Sequence, residues 1–224
     1  MHLGLIGGIG PAATEVYYRA LVRAYAAANQ RLALTIVNTD AREMIANLEA
    51  GRAVEQAAIF AGYVRQLRDG GCDTAVITSM GGHFCIVELE AISTLPVLSA
   101  VPALNQYFAT HEANRVGVLG TRAVMVSKLY GVDTVDVVVP PAEDLATVHS
   151  AYVTLAAAGT ATPKQCSYFH EAARKLHDEQ GADVVVLGGT DLSIAFKDAN
   201  LNFPVVDSAL IHVEAVVRSA MEQR

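Results

Sequence analysis

A chain of 224 residues, 52% of them hydrophobic and 17% charged, is long enough for one large or two small domains and too apolar to be disordered. Its 23 acidic side chains outnumber the 16 basic ones, and no Lys/Arg cluster breaks the net charge of −7, which argues against a nucleic-acid partner. No apolar run approaches the roughly 18 residues of a membrane helix, and no basic leader precedes the first strand, so no membrane partner is expected.

In chain order, His2 to Ile6 reads as a short apolar strand closed by Gly7-Gly8-Ile9-Gly10-Pro11. Ala12 to Ala28 has helical periodicity, with Val16, Ala20, Leu21 and Ala24 on one face, and Pro11 stands where a helix start tolerates it. Leu32 to Val37 is a second strand, ending in Asn38-Thr39-Asp40; Ala53 to Arg68 is an amphipathic helix stopped by Asp69-Gly70-Gly71. Thr74 to Thr78 is a buried strand that leads through Ser79, Met80, Gly81 and Gly82 toward a helix, and Thr94 to Leu98 is a strand entered through proline.

The second half repeats this grammar. Val116-Gly117-Val118-Leu119-Gly120-Thr121 echoes Leu3 to Gly8, and Val135 to Val139 is a strand ended by Pro140-Pro141. Tyr168 to Glu179 is a helix capped by Gly181, and Asp183 to Leu187 a strand followed by Gly188-Gly189-Thr190-Asp191. Phe203 to Asp207 and Ser208 to Met221 give a last strand and helix. Ile6 and Ile77 are separated by nearly the same length of chain as Leu119 and Leu187. Strands alternating with helices predict an α/β fold of parallel units with helices on both faces. Two lobes are expected, 1–98 with 207–224 and 99–206, with a ligand cleft between them at the carboxyl ends of the strands.

Several motifs carry chemistry. Gly8-Ile9-Gly10-Pro11-Ala12-Ala13 fits a relaxed dinucleotide fingerprint, but the acidic residue expected about 20 positions on is absent. A carboxylate or other small anion at this helix start, or a purely structural tight turn, fits better. His83 follows Ser79 by four residues, so on an α-helix the two share a face and could form a nucleophile pair. The plainer alternative is a histidine hydrogen-bonded at a helix start. Cys72, Cys85 and Cys166 are scattered, which predicts idle thiols in a reducing, cytoplasmic setting, and no His/Asp/Glu spacing suggests a metal.

Gly4-Leu5-Ile6-Gly7-Gly8-Ile9-Gly10-Pro11-Ala12-Ala13-Thr14 resembles the opening of the aspartate/glutamate racemase superfamily, closest to aspartate racemases. So do Gly71-Cys72-Asp73, Met80-Gly81-Gly82-His83, the run from Gly181 to Asp191, and Pro204-Val205-Val206-Asp207. The resemblance covers essentially the whole chain. It implies two pseudo-symmetric lobes, each with a parallel four-stranded type of sheet flanked by helices, assembled as a homodimer and needing neither metal nor organic cofactor. It also implies two cysteines that work on opposite faces of a substrate α-carbon. Carried over residue by residue, the first falls on Ser79 and the second on Gly189, so both thiols are replaced. The family's Asn-Thr after the first cysteine becomes Met80-Gly81, and its Thr-Gly-Thr-type loop becomes Thr121-Arg122-Ala123-Val124.

A thiol near pKa 8.5 can be tuned into a base; a serine hydroxyl cannot without a strong neighbour, and glycine carries no proton. Ordinary two-thiol racemisation is therefore expected to be absent or weak. The resemblance leaves an enzyme acting on a small acidic amino acid or related carboxylate, with Ser79, Thr190 and His83 as the polar groups at the reacting centre. Gly8, Ile9, Thr78, Met80, Gly81, Thr121, Arg122, Lys164 and Gly189 are the expected substrate contacts, Arg122 as a bidentate partner of a carboxylate. Arg42, Arg52 or Lys164 could serve a distal carboxylate. A decarboxylase, a serine-dependent hydrolase and a non-catalytic carboxylate binder are the alternatives.

Overall fold

The computed structural model describes residues 1–197 and 199–222. Its contacts divide the chain into two units, Met1–Ala100 together with the chain from His212 onward, and Val101–Ile211. The expected boundaries lay at 98/99 and 206/207; of the expected ranges, positions 198, 223 and 224 fall outside the described residues.

The first unit runs β1 (His2–Gly7), α1 (Pro11–Ala27), β2 (Ala33–Asn38), α2 (Ala41–Glu49), α3 (Ala53–Asp69), β3 (Thr74–Ile77), a 3-10 helix over Met80–Cys85, α4 (Ile86–Ile92) and β4 (Val97–Leu98). The chain then crosses into the second unit along α5 (Ala100–Thr110). There it forms β5 (Arg115–Leu119), α6 (Arg122–Val126), a short turn α7 (Lys128–Gly131), β6 (Asp136–Val138), α8 (Leu145–Ala158), α9 (Pro163–Asp178), β7 (Val184–Leu187), α10 (Leu192–Phe196) and β8 (Val205–Asp207). It returns along α11 (Ser208–Glu222).

Each unit holds one all-parallel four-stranded sheet, in the orders β2-β1-β3-β4 and β6-β5-β7-β8. The repeat reaches the register: Ile6 stands opposite Ile77 in the first sheet, and Leu119 opposite Leu187 in the second. These are parallel strands covered on both faces, which is why β3 (Thr-Ala-Val-Ile) and β7 (Val-Val-Val-Leu) are buried at every position. In the first unit Ile6 and Ile77 pack with Met44, Phe60, Val64, Leu67 and Leu89. Burial of each such side chain contributes about 1.5–3 kcal/mol of transfer free energy. In the second unit Val118, Val185 and Val186 lie fully buried, as do Leu155 and Phe169 on its helices.

Some expected elements change their bounds, and two helices appear where the sequence suggested no element. The residues 41–49 form a helix, α2, because Asp40 accepts from the backbone N–H groups of Arg42 (2.8 Å) and Glu43 (3.5 Å) as an N-cap. The helix expected from Tyr168 begins at Pro163, where Thr162 and Gln165 form a capping box; Lys164 and Cys166 are therefore helical residues. The strand expected over Thr94 to Leu98 shortens to Val97–Leu98. Residues 145–158, for which the sequence suggested no element, form α8, with Val148 and Leu155 on its buried face and a left-handed Gly159 (φ 65°) at its end. Among the described residues no helix is long and apolar enough to cross a membrane.

Candidate active site

In the first unit the relevant loops follow β1 and β3, which are neighbours in the sheet. Gly8 has φ 88°, a conformation that suits glycine, and a Cβ there would collide with the Asn38 side chain. Its N–H is given to Thr14 Oγ1 (3.1 Å), and Thr14 Oγ1 lies 3.1 Å from Thr78 Oγ1. The Thr78 hydroxyl in turn donates to Ile6 O (3.2 Å) and is 1% exposed. The expected carboxylate contact at Thr78 is thus a buried brace that joins the ends of β1 and β3 to α1. Replacing Thr78 with valine removes that hydroxyl, its bond to Ile6 O and its contact with Thr14, and we expect a loss of about 1–3 kcal/mol in denaturant unfolding.

Ser79 follows in extended conformation, half-exposed, and among the described residues its hydroxyl has no hydrogen-bond partner. His83 does not pair with it. The intervening turn is 3-10, with three residues per turn, so positions four apart do not share a face. The imidazole is instead 1% exposed and spent on the backbone: Nδ1 lies 2.9 Å from Ser79 O, and Nε2 accepts the N–H of Ala100 at 3.0 Å. A carbonyl only accepts and an amide N–H only donates, so the ring is the neutral Nδ1–H tautomer. Burial pushes its pKa down to about 4. Its ring packs edge-on against His212, also buried, whose Nδ1 meets the Tyr17 hydroxyl (2.6 Å) and whose Nε2 donates to Leu98 O (3.0 Å). The sequence had offered His83 both as a partner of Ser79 and as a histidine hydrogen-bonded at a helix start, and its bonds are those of the second. Ile9 and Gly81 stand at the half-exposed edge of these loops, while Met80 is buried.

In the second unit β5 and β7 are neighbours, and the loops at their carboxyl ends touch: Gly188 N–H donates to Leu119 O at 2.7 Å. Thr121 caps α6, its hydroxyl accepting from Val124 N–H (3.3 Å). The Arg122 side chain is exposed, and among the described residues no carboxylate pairs with it. Beyond β7, Gly189 is half-exposed and Thr190 is 8% exposed.

A residue that sequence reasoning missed stands against Gly189. A Cβ built at position 189 would lie 2.5 Å from Tyr152 Oη, 2.6 Å from Cζ and 2.7 Å from Cε2. The Tyr152 hydroxyl donates to Asp191 Oδ2 (3.2 Å), and one turn earlier on α8 the His149 Nδ1 accepts the N–H of Arg122 (3.3 Å). One helix thereby braces both loops. Burial, followed by the nearby Asp191 and Asp207 carboxylates, pushes the Tyr152 phenol above its ordinary range. Burial also raises Asp191, and raises Asp207 to about 6. The only sequence signal for this residue was the spacing of Val148, Tyr152 and Leu155 on one helical face.

The other expected contacts are elsewhere. Arg42 pairs with its own helix cap, Asp40, and Arg52 bonds Asn47 Oδ1 (2.9 Å) and Ala46 O (3.4 Å). Lys164 is exposed in the first turn of α9. Cys72 and Cys85 are buried, burial pushing the Cys85 thiol up to about 12, and Cys166 lies on α9. Among the described residues no three His, Cys, Asp or Glu side chains converge as metal ligands.

Comparison with solved structures finds the same fold across nearly the whole chain. A candidate Asp/Glu racemase from Yersinia pestis superposes with a TM-score of 0.85 at 22% identity, covering 99% of this chain and 100% of that one. An aspartate racemase homologue from Pyrococcus horikoshii OT3 gives 0.82 at 22%, covering 99% of each chain. The aspartate racemase of Picrophilus torridus gives 0.71 at 17%, covering 99% of this chain and 95% of that one. The sequence profile of the Asp/Glu/Hydantoin racemase family matches residues 6–216, from the end of β1 into α11, a stretch that includes all four strand-end loops. On that match, which spans most of its length, the chain belongs to the Asp/Glu/Hydantoin racemase family.

Proposed function

We propose that the protein is a cofactor-independent enzyme of the racemase type whose ligand is a small carboxylate of the aspartate or glutamate kind, with two-thiol racemisation absent or weak. The observation that carries this reading is the unpaired guanidinium of Arg122 beside Thr121, at the carboxyl end of β5, where a bidentate carboxylate partner has no protein competitor among the described residues. The weakness of racemisation follows from the two positions onto which the family resemblance carries its cysteines. Ser79 has no base, since both nitrogens of His83 serve the backbone, and Gly189 has no side chain at all. The same absence of a base at Ser79 counts against a serine-dependent hydrolase. The family resemblance supports a homodimer acting in the cytoplasm, which light scattering on the purified protein and fractionation would check.

The test is ligand-dependent stabilisation combined with chiral analysis. L- and D-aspartate and L- and D-glutamate at millimolar concentration are expected to raise the melting temperature by a few degrees, as mass action on the folded state requires. Overnight incubation at high enzyme concentration is expected to leave their configuration unchanged. Conversion within seconds would sink the modified-site reading, and no stabilisation by any of the four would sink the ligand class. In the Arg122→Ala variant the stabilisation should largely disappear while the ligand-free melting temperature stays within a degree or two, because that side chain is exposed.

A further inference from the structure

We propose that Tyr152 is the proton carrier of the second unit: its phenol fills the volume that a side chain at position 189 would occupy, hydrogen-bonds to Asp191, and exchanges the α-proton of the bound carboxylate on one face only. The inference rests on the small-carboxylate reading above and goes beyond it by naming the group that moves the proton.

Three observations converge. The phenol oxygen stands 2.5 Å from where a Cβ at Gly189 would be, closer than real neighbours approach, so ring and side chain are alternatives for one volume. The ring is held by α8, whose Val148 and Leu155 are buried, and by the 3.2 Å bond to Asp191, and Tyr152 as a residue is half-buried. The same helix steadies the start of α6 through His149, so Tyr152, Thr121 and Arg122 are referred to one frame. The hydroxyl is thereby held at a fixed place beside Gly189 by its bond to Asp191.

The step balances without a further reagent. Phenolate removes the α-proton: the C–H bond breaks as the phenol O–H bond forms, and the electron pair left behind delocalises into the ligand's carboxylate. The phenol exchanges its proton with water, and its O–H bond then breaks as a C–H bond re-forms with that electron pair on the same face, regenerating phenolate. Asp191 accepts the hydrogen bond of the phenol. The charged groups acting on the phenol are Asp191, from the loop after β7, and Asp207, from the end of β8. Both disfavour phenolate, so at neutral pH the group is chiefly a donor and exchange is slow. With one carrier, the proton leaves and returns on the same face: solvent exchange proceeds with retention.

The experiment follows the α-proton of each enantiomer of aspartate and glutamate by proton NMR in deuterated water, with the full chain at high concentration. For any amino acid that exchanges, one enantiomer is expected to do so without forming its mirror image. The rate should rise about tenfold per pH unit between pH 7 and 9, tracking the phenolate fraction. Tyr152→Phe, which keeps the ring, should lower the rate by 10²–10⁴-fold while ligand-dependent stabilisation persists. Asp191→Asn should shift the pH profile toward lower pH, a change that a merely structural tyrosine would not produce. Exchange that survives in Tyr152→Phe, or exchange of both enantiomers with inversion, overturns the proposal. Stabilisation by the ligand without any exchange overturns the role of Tyr152 and leaves the carboxylate reading standing; the absence of stabilisation overturns both.

Discussion

Replacing Gly189 with cysteine is expected to destabilise the second unit by about 1–3 kcal/mol, the ordinary cost of forcing extra volume into a packed site. The new Cβ would lie 2.5–2.7 Å from three atoms of the Tyr152 ring. A flexible chain end could step aside, but a phenol moves only as a rigid ring. To do so it must give up its bond to Asp191 and its place on α8. A thiol at position 189 is therefore expected to need a smaller side chain at position 152 as well. The companion measurement is a double-mutant cycle. Tyr152→Ala alone leaves a cavity and Gly189→Cys alone a clash, and the pair together should be more stable in urea than the sum of the two losses predicts. Strict additivity would show that the ring yields freely and that the close approach has no energetic content.

Acid is expected to unfold the first unit before the second. His83 and His212 are both buried and neutral, with folded pKa values of about 4 and about 3 against 6.5 for the free side chain, burial being the main cause and the mutual repulsion of the two rings adding to the shift at His212. A group whose pKa is lowered by folding binds more protons when unfolded, so its stability contribution is complete above about pH 6.5. It is lost as the pH falls toward the folded values. At about 1.4 kcal/mol per unit, the two histidines together withdraw several kcal/mol over that interval, a large share of a typical total. The second unit has the opposite dependence. Burial raises Asp207 to about 6, so protonation favours the folded state as the pH falls from 6 to the ordinary carboxylate range. Asp183, lowered by the N–H groups of Arg115 and Asn114, works against that gain but is solvent-exposed, so its share is small. Hydrogen exchange followed by mass spectrometry at pH 7 and pH 4.5 should show protection falling first in β1 and β3, with β5 and β7 retained. Simultaneous loss in both sheets would contradict this account.

The fold was largely legible because parallel strands buried on both faces announce themselves as apolar runs, and here the runs come in two matched sets. Ile6 and Ile77, and Leu119 and Leu187, were recognisable as corresponding strand ends before their pairing was known. What escaped was governed by caps or by distance. The start of α9 was written in Thr162-Pro163-Lys164-Gln165, a capping box that hydrophobic periodicity does not register. The helix α8 turns only a few buried side chains inward from an alanine-rich segment, so its pattern is faint. Tyr152 meets Gly189 across a fold that no local pattern encodes. At His83 the spacing from Ser79 left two partners open, and the tight 3-10 turn gave the ring to a carbonyl and an amide, the plainer of the two.

The division of the chain also bears on how the molecule is made. The second unit is one uninterrupted segment, Val101–Ile211, whereas the first is completed only by residues from His212 onward. The side chain that Tyr17 and Leu98 require, the imidazole of His212, leaves the ribosome after the whole of the second unit. In vectorial synthesis, therefore, the buried histidine pair of the first unit can be assembled only after the second unit has been made, and the first-made half of the protein is the last to be completed.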